Sequence, residues 1–230
     1  MYRLVALPAW AKASELAISL TIRPKDFNMG MTSGEAKKAV ISVLSKPPIQ
    51  RISFWCGMHV TPALFFDVKN AVENGKIKVI VVPANLLDDA DGEYFPDKNT
   101  LAIADTVTSS DFDHGVRTRC LIVHETVHAI ADMKKLTISQ ISSEAAGYLA
   151  AALYRVLSAQ SIPSSESQYD YDEAMKNIWK KCDELIYKYG LQLGIGVVST
   201  EDLNDLRNLI HKHSQYADVD LRKMQVADGI

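Results

Sequence analysis

Apolar residues along this chain switch between helical and strand-like spacing. Around residues 33–46, Val40, Val43 and Leu44 fall on one side of a helix that Ser33 can cap, and Pro47-Pro48 ends it. Ile49–Cys56 then reads as a strand. Thr61-Pro62 sets an N-cap followed by proline at the first helical position. Leu64, Phe65, Val68, Ala71 and Val72 continue at helical spacing up to a stop at Gly75. Lys76–Pro83 is apolar enough for a buried strand, and Thr100–Ala104 reads as a second. Between them runs a polar loop, Pro83–Thr100, with acids at Asp88, Asp89, Asp91 and Glu93. Residues 105–116 are polar again, and helical spacing takes over from Thr118.

From Thr137 onward the pattern is almost wholly helical. Thr137-Ile-Ser-Gln140 fits a capping box at the head of a helix reaching about Ala159. Ser161–Gln168, with Pro163 and several serines, reads as a linker. Met175, Ile178, Trp179, Cys182, Leu185 and Ile186 give the next helix, Tyr171–Tyr189, one apolar stripe. Ser199 or Thr200 opens a last helix running to about His213, and the final dozen residues are expected to fray. The pattern as a whole predicts an α+β fold: a small mixed sheet with helices, then a mostly helical C-terminal half. Residues 1–160 read as a core preceded by an arm over 1–32, and residues 161–230 as a helical extension packed on it.

Composition narrows the function classes. The chain has 230 residues, 47% hydrophobic and 23% charged, which excludes collagen and a disordered tail. A net charge of −3 does not indicate a bulk electrostatic grip on nucleic acid or an anionic membrane. Apolar runs are strand-sized, too short to span a bilayer. Ala9-Trp10-Ala11 mimics a leader cleavage site, but the apolar run before it is short and carries a proline, so the N-terminus reads as a structured arm. A cytoplasmic location is the expectation, with export lacking a cleavable signal as the alternative. Cys56, Cys120 and Cys182 are odd in number and far apart, as expected of reduced thiols.

One motif carries chemistry. Residues 124–128 read His-Glu-Thr-Val-His, which is H-E-x-x-H. Two histidines at i and i+4 share a helical face, close enough to chelate one Zn²⁺, and Glu125 lies ~100° round the helix, within reach of a water on that ion. Ile122, Ala129, Ile130 and Met133 occupy the opposite arc, so the helix is expected to bury that side and turn the motif toward a cleft. A hydrolytic zinc site needs a third protein ligand. The continuation H-E-x-x-H-x-x-G-x-x-H is absent, because Ala131 and Lys134 hold those places. Glu144, in the Ala/Gly-rich stretch after the next helix start, is the leading third ligand. Its plain alternative is an exposed surface acid.

On these residues the chain resembles the zincin metallopeptidases, and within them the gluzincins, thermolysin-like in active-site logic and closest to the compact bacterial type. The resemblance implies that His124, His128 and Glu144 bind zinc and that Glu125 is the general base. It also implies that Asp132 orients a ligand from behind, as in H-E-x-x-H-A-x-x-D. Tyr148, one turn past Glu144, could stabilise an oxyanion. Glu93–Ile103 is similar to the edge strand that borders the cleft in minimal zincins and pairs with an extended substrate. The likeness covers residues 93–158. Ser143 and Tyr148 stand where thermolysin-like proteins have Asn and an acid, which separates this chain from thermolysin-type substrate preference.

The implied function is a zinc-dependent metallopeptidase that cleaves peptide bonds of a protein or peptide substrate by Glu-assisted attack of a zinc-bound water. Two alternatives stand beside it. One is a non-catalytic zinc-binding or peptide-binding protein, and the other an exported effector or toxin protease with a narrow substrate. His59, His114, His211 and His213 are expected as ordinary surface histidines, and the acidic loop 88–93 as solvated.

Overall fold

The computed structural model describes residues 30–87, 90–158, 172–194, 196–219, 224–226 and 229. The candidate leader, the linker at 161–168, Asp88 and Asp89 lie outside these residues. Among those described, seven α-helices and small sheets make a mixed α+β architecture that is mostly helical.

Helix α1 (Ser33–Leu44) begins at the residue assigned from sequence as its cap, so the cap itself moves back by one. Thr32 takes the N-cap, and its side chain and that of Glu35 form a reciprocal capping box. The expected strand Ile49–Cys56 is a correction. Pro47–Arg51 forms a 3-10 turn, with proline at its start, and only Phe54–Trp55 (β1) is extended. Ile49 and Ile52, three apart, are both buried, which is turn spacing and not strand alternation. His59–Val60 (β2) returns antiparallel to β1 before helix α2 (Pro62–Glu73).

The main sheet has the order β3-β5-β4, with β3 (Lys78–Val82) parallel to β5 (Thr100–Ala104) and β4 (Gly92–Phe95) antiparallel to β5. Every residue of the central strand β5 is buried. Helix α1 covers β3, and the Ser33 hydroxyl accepts from the Val81 amide at 3.0 Å. The polar loop read between the two strands contains β4, and the stretch 93–103, expected as one edge strand, is corrected: it divides into the edge strand β4, a 3-10 turn at Pro96–Lys98 and the central strand β5. A Cβ on Gly92 would sit 3.0 Å from the Ala102 carbonyl oxygen and 3.2 Å from Leu121 Cδ2, so glycine lets β4 lie tight against its neighbours. The polar stretch 105–116 holds a short helix, α3 (Ser109–His114), capped by Thr108 and Asp111.

Helices α4 (Val116–Met133) and α5 (Gln140–Leu157) are the centre of the molecule. All residues of α5 from Ile141 to Tyr154 are buried, because α4, α6 (Glu173–Lys188) and α7 (Thr200–Lys212) pack around it. A helix apolar on all sides is a core helix, and here the Ala-rich run makes the approach close. The capping box expected at Thr137 is also corrected. Thr137–Ser139 is a strand, β6, and Ser139 caps α5 by accepting from the Ser142 amide at 3.2 Å.

The C-terminal segment returns to the rest of the chain twice. Gly196–Val197 (β7) pairs in parallel with β1, and Met224–Val226 (β8) pairs antiparallel with β6. The final residues thus include an ordered strand where fraying was expected: β6, isolated at the sharp α4–α5 connection, offers backbone groups that β8 satisfies. No helix among the described residues is long and apolar enough to cross a membrane.

Candidate metal centre

Three acceptor groups converge between α4 and α5. His124 and His128, one turn apart on α4, bring their Nε2 atoms to 3.1 Å from each other. From α5, Glu144 places Oε2 3.1 Å from His124 Nε2 and Oε1 3.6 Å from His128 Nε2. Glu125 completes the cluster, with Oε1 4.0 Å from His124 Nε2. One ligand atom from each of His124, Glu125 and His128 lies within 4.8 Å of the others, so the group is placed to hold a metal ion.

The donor set fits such an ion. Bonds of about 2.0–2.1 Å in a tetrahedron separate neighbouring ligand atoms by about 3.3 Å, close to the 3.1, 3.1 and 3.6 Å found among His124, His128 and Glu144. Two imidazole nitrogens facing each other in a buried site need a proton or a cation between them. Gly147 supplies the room: a Cβ there would meet the His124 ring at 2.9 Å. A helix-interior glycine costs about 1 kcal/mol against alanine, so close approach of the ring is the compensating gain.

Each group is held from behind. Ser143 Oγ lies 2.8 Å from His128 Nδ1, which turns Nε2 inward. The Glu125 carboxylate accepts from the Tyr94 amide of β4 at 2.9 Å. Tyr94 also donates its hydroxyl to Asp132 at 2.7 Å, and Asp132 accepts from the Gly229 amide at 3.1 Å. Asp132 therefore supports the residue whose amide holds Glu125, and the hydrogen bond on His128 Nδ1 involves Ser143. Tyr148 packs its ring edge-on against His124, with centroids 4.6 Å apart, and its hydroxyl faces that of Tyr216 at 3.4 Å. Tyr216 in turn donates to Glu144 Oε2 at 3.0 Å.

Burial sets the protonation of the cluster. His124, Glu125 and Glu144 are each less than a tenth exposed. Burial pushes Glu125 up to about 8, with the Glu144 charge adding to it and His124 and the Tyr94 amide opposing. Burial also opposes the charged form of Glu144, but His128, His124 and the Tyr216 hydroxyl outweigh it and bring the group down to about 2. His128 is pulled down to about 4, mainly by burial. For His124 the loss of water works against the cation, and the hydrogen bond and charge of Glu144, with the charge of Glu125, overcome it. Tyr148 and Tyr216 are both raised by burial and stay protonated.

The remaining sequence candidates stand apart. His59 and His114 are exposed, whereas His211 and His213 are half-buried. His213 pairs with Asp172 at 3.3 Å and lies beside the Tyr216 ring. The three cysteines are buried and are not joined in disulfides, and burial pushes the Cys56 thiol up to about 12. Sequence spacing assigns no role to Tyr94, Ser143 or Tyr216. Ser143 adjoins Glu144, so helical geometry offered a clue, whereas Tyr216 lies 72 residues from the carboxylate it touches and no local pattern points to it. No protein-family model, curated protein or solved structure matches the chain.

Proposed function

We propose that this protein is a zinc-dependent metallopeptidase of the gluzincin type. The supporting observation is that His124, His128 and the Glu144 carboxylate face one point while Glu125 stands beside it, held by a strand at a sheet edge. Zinc fits that donor set, since two imidazoles and a carboxylate leave a fourth position open, and when bound it supplies a Lewis acid and lowers the pKa of water.

This chain's own groups then divide the work. His124, His128 and Glu144 would hold the ion. Glu125 takes a proton from the attacking water and passes it to the leaving amine. The Tyr94 amide fixes the carboxylate so that its Oε1 faces the histidines.

One observation favours a second reading, a metal-binding protein without turnover: the cluster is buried. The two readings separate in one assay. The peptidase reading expects Glu125→Gln to keep its zinc and to lose cleavage of a diverse peptide library by on the order of 10²–10⁴-fold. Equal cleavage by Glu125→Gln and the natural chain would sink it. Full zinc loading with no cleavage by either would support the second reading.

A further inference from the structure

Glu144 is the carboxylate of the centre, and its Oε2 has two partners from different parts of the chain. One is His124 Nε2 at 3.1 Å. The other is the hydroxyl of Tyr216, at 3.0 Å, from a short turn, Ser214–Tyr216, that follows α7. Tyr216 is 7% exposed, and its hydroxyl is steadied by Tyr148, itself packed on the His124 ring. The same C-terminal segment is tied to the centre's surroundings elsewhere. Strand β8 pairs with β6, which joins α4 to α5, and the Gly229 amide bonds Asp132, the acid that holds Tyr94 behind Glu125. His213 anchors the start of the turn through Asp172, at the head of α6.

We propose that Tyr216 is a positioning residue of the metal centre, and that seating the C-terminal segment and binding the metal are therefore coupled. The inference rests on the metal-centre reading of His124, His128 and Glu144, and it does not need that centre to be catalytic. A carboxylate with rotatable χ angles must be held in one orientation to bind an ion with a defined geometry, and hydrogen bonds from behind commonly account for 10–100-fold of metal affinity. Tyr216 supplies that bond from a segment sequentially remote from both helices. Linkage then works in both directions: a bound ion that orders Glu144 favours the seated Tyr216, and a seated Tyr216 tightens the ion.

The test uses the full chain, with Zn²⁺ and Co²⁺ as probes and chelator competition for affinity. Tyr216→Phe keeps the ring and removes the hydroxyl, so its metal-free melting temperature should stay near that of the natural chain. Its zinc affinity is expected to fall roughly 10–100-fold. At saturating Co²⁺ its visible absorption should shift, because the carboxylate orientation changes, a change that loss of packing alone would not produce. Zinc should also slow proteolysis around residues 214–219 in the natural chain and do so less in Tyr216→Phe. Affinity, cobalt spectrum and protection all equal to those of the natural chain would overturn the proposal while leaving the metal centre intact. Failure of the natural chain to bind zinc, with His124→Ala indistinguishable from it, would overturn both.

Discussion

At the scale of single residues the centre is a set of side chains, three of which share a hydrogen bond with a residue outside the cluster. His128 has Ser143, Glu125 has the Tyr94 amide, and Glu144 has Tyr216. His124 is positioned instead by shape, between the Tyr148 ring and the bare backbone of Gly147. Gly147→Ala separates two effects. Alanine is the better helix former by about 1 kcal/mol, but in the metal-free protein its methyl group also overpacks a buried site, a cost of about 1–3 kcal/mol that is expected to cancel or outweigh that gain. Its methyl group would meet the imidazole at 2.9 Å, so the ring must move. Zinc affinity measured by competition with a chelator should drop about tenfold, as for other disturbed ligand supports. An unchanged affinity would show that His124 relaxes freely. The motif His124-Glu125-x-x-His128 was legible in the sequence because helical periodicity alone brings i and i+4 together. The supports were not, because each comes from another element and depends on packing.

Among elements, the α4–α5 pair makes the site. Sequence spacing located both helices and the small residues of α5, which permit the approach. It misplaced the entry to α5, because a Thr-x-x-Gln pattern looks like a cap in isolation. In the structure β8 claims Thr137 for a strand and Ser139 becomes the cap. Strand β1 was overestimated for a related reason: Pro47-Pro48 tightens the chain into a 3-10 turn, a choice that apolar content does not reveal. The head of α7 offers a prediction away from the metal. Asp202 accepts from Lys188 Nζ at 2.6 Å and from the Tyr189 hydroxyl at 2.5 Å, and Ser199 also reaches it. These partners, Lys188 first, hold its carboxyl well below the ordinary value of 3.8. A carboxyl depressed in the folded state contributes stability that is fully present above that ordinary value and is lost as pH falls below it. Thermal melting followed between about pH 3 and pH 7 should therefore show a steeper acid loss in the natural chain than in Asp202→Asn. Parallel acid limbs for the two proteins would contradict the assignment.

Over the whole molecule, the chain closes on itself. Strands β7 and β8 return the C-terminal residues to β1 and β6, and Tyr216 and Gly229 reach the groups around the centre. The sequence showed the C-terminal half as helices with no hint of a ligand. Long-range pairings of two or three residues leave too short a pattern to read. On the proposed reading, their consequence is that a metal held at the centre would share its binding free energy with the fold. An ion that binds only the folded chain stabilises it by about 2.7 kcal/mol at a free concentration one hundred times its dissociation constant. Zinc should accordingly raise the melting temperature of the natural chain and leave that of His124→Ala unmoved, by calorimetry at matched free zinc. A shift of the same size in both would place the binding elsewhere.

The central claim is that His124, His128 and Glu144 together hold one metal ion beside Glu125. A crystal of the protein grown with zinc, with anomalous differences collected at the zinc edge, tests it most directly. One peak is predicted, about 2.0–2.2 Å from His124 Nε2, from His128 Nε2 and from a carboxylate oxygen of Glu144. An absent peak between α4 and α5, or a strong one bound by other residues only, would contradict the account.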